Sequence, residues 1–447
     1  HNYGVESYLA RINYGFKSRY YIDASWRTDG SSRFHPSDRW GHFWSVGASW
    51  RISEEQFMEN TRQWLDNLTL KVSYGVQGND NLGTYYAWQG LYDYTWPNAT
   101  DAGAFVDKLE NRKVTWEKNG NLNAGIEATM FGGRLGVSVE YYNRKTRDML
   151  LNSPLPISTG FTGFNDNVGS LRNQGLEVSL RGTILDKRDF RWDATLMGSF
   201  NRNKVLSLTG GQDVITSGIR VIEVGRPIYT FYLPKTAGVD PATGKQLYYA
   251  YWTQTVNDEG TLVNTRCDEY ITDNVAMATL SKYYHESREP KLFGSIGSTF
   301  TILKNIDVSF LTTYSIGGWV YDGLYNGSMY VQYAGNNWHK NAKRRWQKPG
   351  DKTDVPMLEV GGSYATTSNS LIDASYFAIK NITVGYTLPK RWLKKIDIES
   401  LRIYATLDNI AMFNHMDGMD PQYNFTGSVA YSYTPSRVIA FGIDLNF

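Results

Sequence analysis

Residues 19–57 read RYYIDASWRTDGSSRFHPSDRWGHFWSVGASWRISEEQF and carry the clearest structural signal in the chain. Apolar and polar residues alternate in each half, which predicts two strands joined by a polar loop. Alternation places one set of side chains on each face of a sheet. The apolar set is Tyr20, Ile22, Ala24, Trp26, Trp44, Val46, Ala48, Trp50 and Ile52. This face would cover a core in a soluble sandwich and would meet lipid in a membrane barrel, and alternation alone leaves both open.

The composition is compatible with a membrane barrel. Aromatic residues make up 15% of the 447 residues, which is usual for barrels with aromatic girdles and would also suit a carbohydrate-binding surface. The mean hydropathy is −0.44, and no apolar run is long enough for a transmembrane helix. The net charge of +2 implies no nucleic-acid partner, and the single cysteine, Cys267, rules out a disulfide framework within the chain.

About thirteen strands are predicted, many of them with roughly the nine to eleven residues that a tilted transmembrane strand needs. They are 5–16, the two strands of the opening hairpin, 68–76, 116–131, 134–145, 175–184, 190–200, 292–302, 306–315, 376–388, 401–410 and 437–447. Short turns alternate with long segments, which are 28–42, 77–115, 146–174, 201–291, 316–375 and 411–436. This alternation is typical of an all-β, antiparallel outer-membrane barrel with turns in the periplasm and loops outside the cell.

The two ends of the chain predict a larger protein. The C-terminal strand has Ile439, Phe441, Ile443, Leu445 and the terminal Phe447 on one face, as in strands that barrel-assembly machinery reads. The first residues, HNYGVESYLA, lack the basic start and apolar run of a signal peptide. Bacterial barrels usually have an even number of strands, and an open edge cannot face lipid. We therefore expect this chain to be the C-terminal part of a larger barrel, closed by earlier strands of the same protein or by another chain.

Short motifs in a fixed order resemble the C-terminal part of the barrel of SusC-type (SusC/RagA) TonB-dependent transporters. The resemblance covers nearly the whole chain. The motifs are Asp29-Gly30-Ser31-Ser32-Arg33-Phe34, Arg39-Trp40-Gly41, Trp50-Arg51-Ile52-Ser53-Glu54-Glu55, Ser73-Tyr74-Gly75, Gly78-Asn79, Thr115-Trp116-Glu117-Lys118, Val168-Gly169-Ser170, Asn173, Gly175-Leu176-Glu177, Gly225, Pro227-Ile228, Gly238-Val239-Asp240-Pro241, Thr243-Gly244, Arg345-Trp346, Pro349-Gly350-Asp351, Leu388-Pro389 and Asp408-Asn409.

This resemblance implies TonB-dependent active import of an oligomeric nutrient, an oligosaccharide or a peptide, across the outer membrane. It implies a SusD-like lipoprotein as partner, the TonB complex acting through an N-terminal part that this chain lacks, and a barrel of the 22-stranded type. The plug domain and N-terminal strands are expected outside this chain. Membrane lipid and lipopolysaccharide are expected around the barrel. The alternatives are a passive porin-like channel and a secreted β-rich protein that binds or cleaves polysaccharide.

Aromatic residues in the long segments are the candidate substrate contacts, because flat rings stack on sugar faces or hold peptide side chains. Packing between loops or against a partner is the alternative. The candidates are Trp88, Tyr92, Tyr94, Trp96, Trp252, Tyr330 and Trp338. Charged residues of the polar face, expected to pair with one another or with a plug, are Arg11, Asp23, Glu127, Glu140, Glu177, Arg181 and Asp193.

The sequence predicts neither catalysis nor a cofactor. It contains no GxSxG, HExxH or P-loop motif. Asp417 and Asp420, or Asn165 and Asp166, could contribute to a calcium site, but the spacing misses the full EF-hand pattern, and no metal is predicted. The protein is therefore expected not to be an enzyme.

Overall fold

The fold is known from a computed structural model that describes residues 3–99, 101–208, 213–329, 335, 337–359, 364–394, 398–416, 419–422, 425–429 and 433–447. Its strands are β1 (Val5–Phe16), β2 (Tyr20–Ser31), β3 (Trp40–Arg51), β4 (Leu65–Asn79), β5 (Leu91–Asn98), β6 (Asp101–Lys108), β7 (Glu117–Met130), β8 (Leu135–Arg147), β9 (Leu150–Pro154), β10 (Gly163–Asn167), β11 (Ser170–Lys187), β12 (Phe190–Ser207), β13 (Val214–Ser217), β14 (Arg220–Glu223), β15 (Thr230–Pro234), β16 (Thr236–Val239), β17 (Gln246–Val256), β18 (Leu262–Thr272), β19 (Lys282–Ser287), β20 (Leu292–Ile302), β21 (Ile306–Ile316), β22 (Trp319–Asp322), β23 (Leu371–Asp373), β24 (Tyr376–Thr387), β25 (Ser400–Asn414), β26 (Ser428–Val429) and β27 (Val438–Asn446).

Helices are few and short. The α-helices are α1 (Val275–Leu280), α2 (Gly323–Met329) and α3 (Lys390–Leu393), and 3-10 turns cover Ile52–Glu54, Gln56–Thr61, Ile157–Thr159, Lys340–Arg344 and Ser368–Ser370. Within the described ranges, none of these helices is long and apolar enough to cross a membrane.

One large antiparallel sheet, which we call the wall, contains thirteen of the described strands. Their order is β1-β2-β3-β4-β7-β8-β11-β12-β20-β21-β24-β25-β27, so each strand pairs with the wall strands before and after it in the chain. Each predicted strand corresponds to one of these thirteen, which confirms the all-β antiparallel prediction. The opening hairpin has the expected register, with Trp26 opposite Trp44 and Asp23 opposite Gly47.

The two faces of the wall differ in chemistry. Because strand side chains alternate, neighbouring rows across the sheet belong to opposite faces. One row across β2, β3, β4, β7, β8, β11 and β12 contains Asp23, Gly47, Ser73, Asn123, Tyr142, Gly175 and Asn201. The row beside it contains Ile22, Ala48, Val72, Ala124, Tyr141, Leu176 and Phe200. We call the polar side the inner face and the apolar side the outer face.

The turns at one end of the wall are tight. Lys17 and Ser18 have φ values of 51° and 53°, and the Arg19 N–H donates to the Phe16 carbonyl at 3.0 Å. Leu303 and Lys304 repeat this geometry between β20 and β21 with φ values of 50° and 64°. Positive φ at both central residues is the geometry that matches the twist of paired strands.

Several wall strands are longer than predicted, and β11 and β12 differ most from the prediction. β11 and β12 extend to Lys187 and Ser207, whereas the alternation predicts ends at 184 and 200. The added end of β12 is polar, and its Asn203 and Lys204 pair with Asn173 and Arg172 of β11. Backbone pairing therefore continues where the apolar-polar alternation has stopped, and a periodicity search misses it.

The segments between wall strands at the opposite end, 32–39, 80–116, 148–169, 208–291, 317–375 and 415–437, form what we call the loop layer. Its described parts contain small sheets and several buried clusters. One cluster joins Phe231 and Leu233 of β15 to Tyr321 of β22, and another joins Val320, Ala374 and Met416. The loop layer is thus a folded structure with cores of its own.

Candidate functional site: the inner face and the loop layer

A cavity of about 1500 Å³ lies against the inner face of the wall, and we call it the lumen cavity. Carboxylates, amides and a phenol from five wall strands line it. They include Asp23, Asn121, Glu140, Tyr142, Glu177 and Asn201. Asp23 of the opening hairpin lines this cavity, as predicted for the charged face, and Arg27 of the same strand lines it too.

Side-chain hydrogen bonds run along the cavity wall. The Tyr142 hydroxyl donates to Asn201 Oδ1 at 2.7 Å, and Arg144 Nε donates to Asn121 Oδ1 at 2.7 Å. Asn203 Nδ2 donates to Asn173 Oδ1, also at 2.7 Å. An amide offers both donors and an acceptor, so a wall of this kind can bind a polar chain in more than one position.

The charged residues of the inner face fall into two groups. Lys71 Nζ lies 2.5 Å from Glu127 Oε2, and Arg191 Nε lies 2.7 Å from Asp193 Oδ2, so these carboxylates are paired. Glu140 and Glu177 instead stand directly opposite each other on β8 and β11. In the described part of the chain neither has a cation within ion-pair distance, and like charges in this position repel.

The DGSSRF motif is held by contacts that stabilise the hairpin. The Arg33 guanidinium lies 4.6 Å from the ring centre of Tyr3 and 5.1 Å from that of Tyr85. Arg33 Nη1 also donates to Asp80 Oδ1 at 3.2 Å, and Asp80 Oδ2 accepts from Ser31 Oγ at 2.6 Å. We call this group the arginine clasp. It fixes the hairpin tip to the chain that follows β4, so its role is structural.

A second junction lies where β12 enters the loop layer. The Asn203 N–H donates to Glu289 Oε2 at 3.2 Å, and Asn203 Oδ1 accepts from the Ile228 N–H at 2.9 Å. Burial raises the pKa of Glu289 to about 7, and the Asn203 hydrogen bond opposes that rise. Arg288, the preceding residue, donates to the Pro421 carbonyl at 2.7 Å. These contacts tie the segment 208–291 to β12 and to the segment 415–437.

Comparison with known proteins identifies the family. Residues 1–410 match the family model described as TonB dependent receptor-like, beta-barrel. The chain belongs to this family. It is therefore part of an outer-membrane barrel, with the apolar outer face towards lipid. This location sets aside the alternative of a secreted soluble protein.

The relatives of this TonB-dependent receptor barrel are longer proteins than this chain. The TonB-dependent receptor SusC of Bacteroides thetaiotaomicron is 29% identical over 457 residues, covering 99% of this chain and 43% of SusC. A TonB-dependent receptor of Formosa agariphila is 29% identical over 476 residues, covering 99% of this chain and 46% of its own. The solved RagAB peptide transporter superposes with a TM-score of 0.85 at 30% identity, covering 100% of this chain and 48% of that chain. The chain thus spans less than half the length of the relatives compared.

The predicted aromatic contacts of this receptor barrel occupy different environments. Trp88 packs beside a buried cluster and meets the His35 ring edge-on at 5.1 Å, and Trp338 packs beside the cluster of Met329, Ala342 and Val355. Trp252 is partly buried in β17, where its carbonyl accepts from the Tyr270 hydroxyl at 2.9 Å. Tyr330 lies outside the described residues, as does Asp417.

Three of the predicted aromatics are largely exposed together on one hairpin. Tyr92, Tyr94 and Trp96 belong to β5, which pairs with β6. The Asp93 carboxylate accepts from the Thr95 N–H at 2.8 Å and so shapes the bulge between Asp93 and Trp96. These three residues form what we call the aromatic hairpin.

Several residues of the site carry no signal in the sequence. Asp80 completes the arginine clasp from 47 positions away, and Glu289 lies in a short polar segment, SREP. Phe425 lines the lumen cavity although it stands alone among polar residues of the last loop segment. An isolated Phe in a loop has no periodicity, so only the three-dimensional arrangement reveals its position.

Proposed function

We propose that the whole protein actively imports an oligomeric nutrient, an oligosaccharide or a peptide, across the outer membrane. The lumen cavity is the observation that carries this proposal, because it is large, lies against a transmembrane wall and presents carboxylates and amides from several wall strands. Similarity to SusC and to the RagAB peptide transporter supports transport rather than catalysis. The wall and loops would guide the cargo, and no bond would be broken.

We propose two partner proteins from the similarity to the same relatives. Similarity to SusC and RagAB supports a SusD-like surface lipoprotein that covers the loop layer, which would then lie outside the cell. It also supports dependence on the TonB complex, acting through a plug outside this chain. We propose that lipid and lipopolysaccharide surround the outer face, where rings such as Trp26 and Trp44 are exposed.

Further strands of the same barrel form the third partner. β1 and β27 each pair with a wall strand on one side only, so the wall has two open edges in the described residues. Unpaired backbone groups cannot face hydrocarbon, because no water is present there to satisfy them. We propose that strands from the rest of the protein pair with both edges and complete a barrel of the 22-stranded type.

The aromatic hairpin is the proposed substrate contact in the loop layer. Tyr92, Tyr94 and Trp96 present their rings to the surroundings, whereas Trp88 and Trp338 mainly pack within the layer. Exposed rings on an ordered hairpin can stack on cargo without first breaking internal contacts. Trp252 and Tyr330 are also proposed substrate contacts, but the exposure argument for the aromatic hairpin does not apply to them.

Uptake by whole cells tests this proposal. We expect deletion of the parent gene to abolish uptake of labelled oligopeptides or oligosaccharides, and the restored gene to return it. Uptake should also stop when a protonophore collapses the inner-membrane gradient or when TonB is removed. Uptake that persists without TonB would show a passive porin-like channel instead.

A further inference from the structure

The short segment around Phe425 is firmly anchored in the loop layer. The Tyr321 N–H donates to the Gly427 carbonyl at 2.7 Å, and β26 pairs in parallel with β22 immediately afterwards. Arg220 Nη2 donates to Thr426 Oγ1 at 3.3 Å. Gly427 has a φ of 84°, and a Cβ there would lie 2.9 Å from Arg288 Cδ, so glycine allows the close approach. The backbone next to Phe425 is thus held on several sides.

The Phe425 side chain, by contrast, is 79% exposed and lines the lumen cavity. Its ring and that of Tyr229 are nearly perpendicular, with centres 5.5 Å apart and planes at 84°. Tyr229 is itself partly buried, which raises the pKa of its phenol, and the nearby Glu289 carboxylate raises it further. A large apolar ring held at a fixed place in a polar cavity leaves its free face available for a ligand.

We propose that Phe425, supported by the Tyr229 ring beside it, forms a platform that binds an apolar side chain of an oligopeptide cargo inside the lumen cavity. This inference rests on the proposed import function and adds a cargo class and a binding position to it. The carboxylates of Glu140 and Glu177, which line the same cavity, attract the amino groups of that peptide. The amides of the wall bind its backbone.

The charge of the cavity favours a peptide over a neutral glycan. The acidic lining residues are Asp23, Asp29, Glu140 and Glu177, and the basic ones are Arg27 and Arg144. Arg27 Nε lies 2.6 Å from Asp29 Oδ1, so this pair is neutral overall. Among the remaining lining residues carboxylates outnumber cations. A peptide with a basic side chain carries net positive charge to this surface, whereas a neutral sugar gains nothing from the charge.

Calorimetric titration of the full-length protein with its lipoprotein partner, in lipid nanodiscs and without TonB, tests the platform. The probes are a short Gly-Ser peptide with one Phe and one Lys, the same peptide with Ala in place of Phe, and a neutral maltooligosaccharide. Phe425→Ala should weaken binding of the Phe peptide about three- to tenfold, since ring contacts contribute roughly 0.5–1.5 kcal/mol beyond buried area. It should leave the Ala peptide unchanged, and Phe425→Leu should restore part of the loss.

Tyr433→Ala is the matched control, because Tyr433 is 95% exposed in the same loop segment and is not among the lining residues of the cavity. It should change neither peptide's affinity. The double change Glu140→Gln with Glu177→Gln should weaken both Lys-containing peptides. Equal effects of Phe425→Ala on the two peptides, or tighter binding of the maltooligosaccharide than of the Phe peptide, would overturn the platform. Because binding is measured without TonB, a failure of TonB-driven uptake would count against the proposed function and leave the platform standing.

Discussion

The wall and the loop layer differ in how their apolar side chains are removed from water. In the wall, large residues such as Leu180 and Val384 stay exposed on the outer face, and lipid covers them. In the loop layer, Phe231 and Leu233 are fully buried against Tyr321, as in a water-soluble domain. The wall is thus surrounded by lipid and the loop layer by water. The contribution of an apolar side chain to stability depends on which of the two surrounds its region.

The largest expected effect comes from emptying a loop-layer core. Phe231→Ala should cost about 3–5 kcal/mol, because it removes a buried ring and leaves a cavity. The matched change Phe377→Ala on the outer face should cost only about 1–2 kcal/mol, since lipid fills the space. Amide hydrogen exchange in β15 and β24 of the full-length protein measures the loss of local stability in each variant. Equal losses at the two sites would contradict the contrast between the regions.

A charge on the outer face comes next. Leu180→Arg should destabilise the barrel by about 2–4 kcal/mol near the middle of the bilayer. Ser179→Arg, one residue earlier and on the inner face, should cost under about 1 kcal/mol, because its charge meets the aqueous cavity. Urea titration of the full-length protein in lipid vesicles compares them. A small loss of stability in Leu180→Arg would contradict the assignment of Leu180 to the lipid-facing outer face.

The arginine clasp provides a smaller effect at the border of the two regions. Arg33→Lys should lower the free energy of local unfolding of the hairpin tip by about 1–2 kcal/mol, because lysine cannot stack between Tyr3 and Tyr85 while binding Asp80. Arg27→Lys serves as control, because Arg27 pairs with Asp29 at a more exposed position. Protease cleavage within 32–39 should rise only in the first variant. No change in cleavage would show that the clasp contributes little.

The smallest effect is a pH dependence at Glu289. Its pKa rises from 4.5 to about 7 in the folded protein, so the folded state binds the proton more tightly than the unfolded state. Stability should therefore fall as pH rises between roughly 4.5 and 7, by about 1 kcal/mol after allowance for partial exposure. Glu289→Gln should remove this slope in thermal melts, and Glu223→Gln should keep it. An unchanged slope in Glu289→Gln would place the titrating group elsewhere.

Sequence patterns predict the wall better than the loop layer for a physical reason. Each wall strand must alternate, because one face meets lipid and the other meets water, and this imprints a period of two over many residues. β15 and β16 have only five and four residues, too few to show a period. The position of β15 depends on pairing with β19, in which Leu233 stands opposite Tyr283, far along the chain.

The aromatic candidates show the same limit. Composition indicated that rings in the long segments could contact cargo, but it could not separate the exposed Tyr94 from the largely packed Trp88. Phe425 was missed because its neighbours are polar and its exposure depends on the anchoring of Gly427 by Tyr321. Burial in the loop layer is decided by long-range packing, which local patterns do not record.

Spin labels placed on adjacent residues of β11 test the central claim most directly. A nitroxide at position 180 and another at 181, each in full-length protein with Cys267 replaced, are compared in lipid vesicles for collision with oxygen and with a water-soluble nickel complex. The two-faced wall predicts that the label at 180 collides mainly with oxygen in the bilayer and the label at 181 mainly with nickel in the lumen. The reverse pattern, or equal access of nickel to both labels, would contradict it.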